Sequence, residues 1–302
     1  MTSPTGPIRG RNDPAERPRR PGSRRGGFAF LELARWTRLW SPWYLSDMPI
    51  SPPTGWKPPG KTLIIATLQR SGSTLLCEKM RSTGVLGNPE EYFNREEKTP
   101  TVERCARIAA SATPNGVAAT KLFPSHFYEL SRDIRLTEWF PDPVWIYLER
   151  RDRLGQAISW AKAWQDGAWT SKSAAVKNAE YSAYGIDFAL AQIAIGTGRW
   201  TSFFARTGIE PLRLFYEDTL DDFDSISQRI GLLAGLDAPV PREGKVSLSP
   251  QRNEESDEWR RRFLTECGNP DDFDRPIVRL RKRRRSKWIF WRKWFGGAAA
   301  KR

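Results

Sequence analysis

The residues best suited to chemistry sit close together in Gln69-Arg70-Ser71-Gly72-Ser73-Thr74. Arg70 supplies a permanent positive charge, Ser71, Ser73 and Thr74 supply hydroxyl donors, and Gly72 lets a ligand approach the backbone closely. Such a set suits an anion, or a simple Ser-capped helix after a turn. Elsewhere the chain offers Glu90 and Glu91, an acidic pair that a loop can leave solvated or hold as proton acceptors. It also offers Lys121, the pair Arg150-Arg151, and Ser159. A single histidine, His126, excludes histidine-based metal clusters and Ser-His-Asp chemistry, and is expected to be structural. Cys77, Cys105 and Cys267 are too few and too scattered for a disulfide framework or a metal site, and they fit a reducing compartment. No metal is implied.

These groups need elements to aim them. Thr62 to Leu68 is rich in β-branched and apolar residues and about the length of one buried strand, and from Ser73 to Arg81 the spacing of Leu75, Leu76 and Met80 predicts a helix. A strand, a glycine-bearing loop and a helix start, in that order, direct free backbone N–H groups and the positive end of a helix dipole at one point. The loop is not a Walker A motif, G-x-x-x-x-G-K-[ST]: the first glycine is missing and Ser73 stands where the lysine would be. Further strands are expected at 117–122, ending near Lys121, at 144–148 and at 212–216. Helices are expected at 154–164, with Ala157, Ile158 and Ala161 inward, over 174–207 in one or two pieces, and at 223–236. In the long segment Tyr181, Tyr184, Phe188, Leu190, Ile193 and Trp200 are available to the core. This alternation predicts an α/β fold, a three-layer sandwich with a mostly parallel central sheet and a ligand across the carboxyl ends of its strands.

With 302 residues, 39% of them hydrophobic and 12% aromatic, the chain can bury one good core. Its net charge of +14 suggests nucleic acid until it is divided along the chain. Residues 1–27 carry a net +5 and residues 279–302 eleven basic groups and no acidic one, which leaves 28–278 at −2. The expected organisation is a basic disordered tail at 1–27 and an aromatic amphipathic segment with a proline-rich linker at 28–60. A catalytic domain at 61–278 and a basic aromatic tail at 279–302 complete it. That last tail interleaves its basic residues with Trp288, Trp291 and Trp294, a pattern suited to an anionic lipid surface ahead of nucleic acid. No apolar run reaches the roughly 18 residues needed to span a bilayer, and the N-terminus does not read as a signal peptide. The expected location is the cytoplasm, with the inner membrane surface as a peripheral site.

The stretch from Arg70 through Leu75-Leu76, Ser82-Thr83-Gly84-Val85 and Gly87-Asn88-Pro89-Glu90-Glu91-Tyr92-Phe93 resembles sulfotransferases that use 3′-phosphoadenosine 5′-phosphosulfate (PAPS), most closely the bacterial trehalose 2-sulfotransferase family. The resemblance spans about residues 61–265 and is densest at 63–93 and 144–169. It implies a P-loop-like sulfotransferase fold in which Arg70, Ser71, Gly72, Ser73 and Thr74 cradle the 5′-phosphosulfate. It also implies that Glu91 is the general base for a carbohydrate or glycolipid hydroxyl. The family's arginine and helical serine for the 3′-phosphate fall on Arg150 and Ser159, with Arg151 the alternative at a spacing one residue shorter. Lys121 is a candidate for the sulfuryl group or a snorkelling surface lysine, and Arg252 a candidate for closing over the nucleotide. Asn88 stands where the trehalose enzymes carry an acidic residue, a departure on the acceptor side. The family includes dimers, but nothing in the chain fixes an oligomeric state. Two other classes compete: a nucleoside-triphosphate-dependent kinase, which would need the missing lysine and metal ligands, and a non-enzymatic adaptor working through its tails.

Overall fold

In Lys61–Ala66 (β1), Leu63 to Ala66 form a continuous apolar run because the strand is covered on both faces, as parallel strands in α/β proteins are. A computed structural model describes residues 49–94, 99–167, 169, 178–242, 244 and 254–272. After β1 come Ser73–Ser82 (α1), Thr101–Ala110 (α2), Val117–Leu122 (β2), Pro124–Asp133 (α3) and Leu136–Trp139 (α4). Then follow Val144–Glu149 (β3), Arg153–Asp166 (α5), Ala183–Thr207 (α6) and Leu212–Phe215 (β4). Tyr216–Asp221 (α7), Phe223–Leu233 (α8) and Glu254–Cys267 (α9) complete the described elements. All pairings in the sheet are parallel and its order is β2-β1-β3-β4. The chain leaves β1 for one side to make β2 and then crosses to the other to make β3. The strand order therefore reverses between β1 and β3, the place where open α/β sheets hold their ligands.

Alternation along the strands sorts the core into two layers. Ile64, Ala66, Trp145 and Tyr147 face one side, where they meet Ala157 and Ile158 of α5, Ile193 and Trp200 of α6 and Trp259 of α9. Leu63, Ile65, Ile146 and Leu148 face the other, against Leu76 and Met80 of α1 and Ile226 and Ile230 of α8. This is the expected three-layer α/β sandwich. The helices begin where local chemistry dictates: Asp152, Ser182 and Asp222 each accept a hydrogen bond from a backbone N–H three residues on, at 2.9, 3.1 and 3.1 Å.

Some expectations shift. Tyr184 points to solvent, 45% exposed, instead of joining the core. The last strand ends at Phe215, and Tyr216 opens α7. The proline-rich stretch before β1 is fastened to the folded unit: Ile50 bridges Ile134, Trp139 donates its indole N–H to the Ile50 carbonyl at 3.0 Å, and Trp56 packs on Trp139 with centroids 4.8 Å apart. His126 is buried beside Phe123, as a structural residue would be. The two tails, the aromatic segment at 28–44 and Arg252 lie outside the described residues. Among those that are described, no helix is long and apolar enough to cross a membrane.

Candidate active site

The loop between β1 and α1 is tied down from α5 and from the end of β3. Gln156, fully buried on α5, donates through Nε2 to the Gln69 carbonyl at 2.8 Å, and Arg150 donates to the Arg70 carbonyl at 3.4 Å. Thr67 and Ser71 share a hydroxyl contact of 2.6 Å, and Thr67 also donates to the Leu148 carbonyl on β3 at 3.0 Å. The Gln69 and Arg70 carbonyls are thereby occupied from the protein side. Arg70 has φ 60 and Gly72 φ 85, so two left-handed residues turn the chain into α1. Gly72 caps that helix without any side-chain cap, leaving the first N–H groups of α1 for a ligand. Gly72 has no room for a side chain: a Cβ there would lie 2.0 Å from the Tyr216 ring.

Arg70 and Ser159 come together directly, Nε donating to Oγ at 2.9 Å, and the Arg70 guanidinium also donates to the Trp169 carbonyl. Burial, and then the positive charge of Arg150, lower the Arg70 pKa. Arg150 is close enough for its charge to act on Arg70, partly offset by Asp166, and a multiply charged anion would relieve the repulsion. Arg150 has only 17% of its side chain exposed, lies against the Tyr216 ring at 5.3 Å, and keeps a buried Nε without a hydrogen-bond partner among the described residues. Arg151 points elsewhere. It forms a two-toothed pair with Asp218 at 2.5 and 2.8 Å and is half exposed. Asp152 steadies the Arg150 side. Burial opposes ionisation of Asp152, but hydrogen bonds from Arg260 and the Gly155 N–H, with the charges of Arg260 and Arg150, hold its carboxyl below the usual range.

A second group lies on β2, at the edge of the sheet. The Lys121 N–H donates to the Glu90 carbonyl at 2.9 Å, which hooks the 87–93 segment onto the strand. The Lys121 ammonium, 6% exposed, meets Glu91 Oε1 at 2.7 Å. Lys121 is therefore neither a surface lysine nor directed only at a ligand. Glu90 turns away to Arg81 at 3.3 Å, and Asn88 donates to the Ser111 carbonyl at 2.7 Å, a structural use of the residue. Among the described residues no group of His, Cys, Asp or Glu is placed to hold a metal ion.

The Stf0 sulphotransferase family model matches residues 62–116 and 117–266, from the first strand to the end of α9. The chain belongs to this family. Two trehalose 2-sulfotransferases, from Mycobacterium tuberculosis and Mycolicibacterium smegmatis, are each 26% identical to it over 258 and 260 residues, covering 68% of this chain and 94% of theirs. Among solved structures, the sulfotransferase domain from the curacin biosynthetic pathway covers 74% of this chain and 99% of its own at TM-score 0.39 and 13% identity. The sulfotransferase domain of the Synechococcus PCC 7002 olefin synthase covers 71% of this chain and 91% of its own at 0.40 and 16%.

Three residues of this Stf0 sulfotransferase escaped the sequence reading. Gln156 had a signal: it is a polar side chain on the inward stripe of α5, one turn before Ser159. Tyr216 stands in the Tyr216-Glu217-Asp218 run that resembles a late strand-to-helix segment of sulfotransferases, but only the fold brings it over Gly72. Arg260 sits in a charged run of α9 where any of several arginines could have been the one that reaches Asp152.

Proposed function

We propose that this sulfotransferase uses PAPS as donor and transfers the sulfuryl group to a hydroxyl of a carbohydrate or glycolipid. The observation that carries the donor is the pairing of two partly buried guanidinium groups, Arg70 and Arg150, at an uncapped helix start. The buried Arg150 Nε, without a partner among the described residues, and the Ser159 hydroxyl, which accepts from Arg70 and can still donate, fit a 3′-phosphate, and the loop 71–74 fits a 5′-phosphosulfate. The trehalose 2-sulfotransferases support a carbohydrate acceptor.

When bound, PAPS supplies an activated sulfuryl group on a good phosphate leaving group. The protein holds the 5′ end at the α1 N-terminus, where Arg70 and the first N–H groups stabilise charge on the sulfuryl oxygens and on the departing phosphate. Glu91 accepts the acceptor hydroxyl proton as the new oxygen–sulfur bond forms and the sulfur–phosphate oxygen bond breaks, its electron pair leaving with the phosphate. Glu91→Gln is expected to keep nucleotide affinity and lose about 10²-fold in turnover.

Calorimetric titration tests the donor. Adenosine 3′,5′-bisphosphate should bind without magnesium and more tightly than ATP by roughly ten- to hundredfold, the worth of a charge-assisted contact. Arg150→Ala should shrink that preference, and Arg70→Ala should weaken binding of both nucleotides. Magnesium-dependent binding that favours ATP would refute the assignment, and a preference lost only in Arg151→Ala would move the 3′ site by one residue.

A further inference from the structure

We infer that Lys121 is a positioning residue for the sulfuryl transfer, acting through Glu91 and not on the sulfuryl group. The inference rests on the reading of Glu91 as the general base. Lys121 is the penultimate residue of β2, in register with Ile65 of β1, and its main chain already fixes the neighbour of Glu91 through the Glu90 carbonyl. Its ammonium, almost wholly enclosed, reaches Glu91 Oε1 at 2.7 Å, whereas the Glu91 side chain is one-third exposed. A buried ammonium needs a counter-charge, and the desolvation it would suffer alone ties it to the carboxylate. Among the described residues, the other titratable groups near the pair do not compete for it. Glu90 is engaged by Arg81, and Cys77, fully buried on α1, has its thiol pushed up to about 11 by burial.

The contact sets which oxygen works. With Oε1 held by Lys121, Oε2 is the oxygen presented to the acceptor hydroxyl. As the acceptor oxygen bonds to sulfur, its proton passes to Oε2, and the electron pair of the breaking bond leaves with the donor phosphate. Lys121 keeps its own protons throughout. The exposed third of Glu91 gives the acquired proton a route to solvent after transfer.

A double-mutant cycle separates action through Glu91 from independent action. Wild type, Lys121→Met, Glu91→Gln and the double variant are assayed at saturating donor and acceptor, with calorimetry on adenosine 3′,5′-bisphosphate to verify an intact nucleotide site. Lys121→Met is expected to lower kcat about 10- to 100-fold with KM and nucleotide affinity nearly unchanged, the scale of a misplaced catalytic group. The double variant should turn over no slower than Glu91→Gln alone. If the two losses multiply, or if Lys121→Met retains wild-type turnover, the inference is overturned. Wild-type turnover by Glu91→Gln is a different failure, since it removes Glu91 as the base and the inference with it. Lys121→Gln, which keeps a polar reach without the charge, is carried through the same cycle so that poor folding of the methionine variant cannot decide the matter.

Discussion

Replacing Gly72 by Ala probes the tightest contact in the site. Gly72 has φ 85 and ψ 10, a left-handed conformation that costs an L-residue roughly 1–2 kcal/mol. The new methyl would lie 2.0, 2.5 and 2.7 Å from Cδ2, Cε2 and Cγ of Tyr216, closer than any stable contact, so the ring must move. Overpacking of this kind adds about 1–3 kcal/mol. The total, about 2–5 kcal/mol, corresponds to a fall in Tm of roughly 4–20 °C for a domain of this size. Moving the ring also disturbs Arg150, which lies against it, so affinity for adenosine 3′,5′-bisphosphate should fall together with stability. Thermal melts and titrations of Gly72→Ala, Tyr216→Ala and the double variant divide the cost. With the ring gone, the alanine should cost only the backbone part, about 1–2 kcal/mol. Equal costs in both backgrounds would show that the ring is not what excludes a side chain at Gly72.

Two further outcomes are expected. Asp152 titrates below its ordinary value in the folded state despite its burial, because Arg260, the Gly155 N–H and Arg150 favour the carboxylate. Its contribution is therefore fully present above about pH 4 and is lost as the pH falls through the folded value. Asp152→Asn should flatten the acid side of the stability profile, measured by denaturant midpoints, and an unchanged slope below pH 4 would contradict the assignment. Removing residues 279–302, with their eleven basic groups and three tryptophans, should abolish sedimentation with anionic liposomes while transfer to a soluble acceptor survives. Full-length protein that ignores such vesicles at low salt but binds duplex DNA would overturn the lipid reading.

What the sequence made legible was local. The β1–loop–α1 unit is written in consecutive residues, with the apolar run, the hydroxylated turn and the helical spacing all within 61–82, and the structure follows it closely. The two layers of the core follow from alternation along β1 and β3. What could not be read depends on the fold bringing distant residues together. Lys121 meets Glu91 only because β2 pairs with β1 and hooks the intervening turn, and Tyr216 meets Gly72 only because β4 lies two strands from β1. The stretch at 49–60 looks like a linker because its prolines suggest stiffness, while its partners, Trp139 and Ile134, lie more than seventy residues away.

The division of the site between strands bears on how such an enzyme diversifies. Arg70 and Arg150, proposed for the donor, follow the central strands β1 and β3, buried under helices on both faces. The Glu91–Lys121 pair, proposed for the acceptor, joins the edge strand β2 to the turn that precedes α2. Substitutions at the partly exposed Asn88, Glu90 and Asn94 can therefore alter the acceptor side, while Tyr92 and Phe93, buried in the core beside β1 and β3, anchor the segment. Lineages can change the molecule they sulfate while inheriting the donor grip intact, and an engineer can graft a new acceptor segment onto the edge strand with the centre of the sheet left as it is.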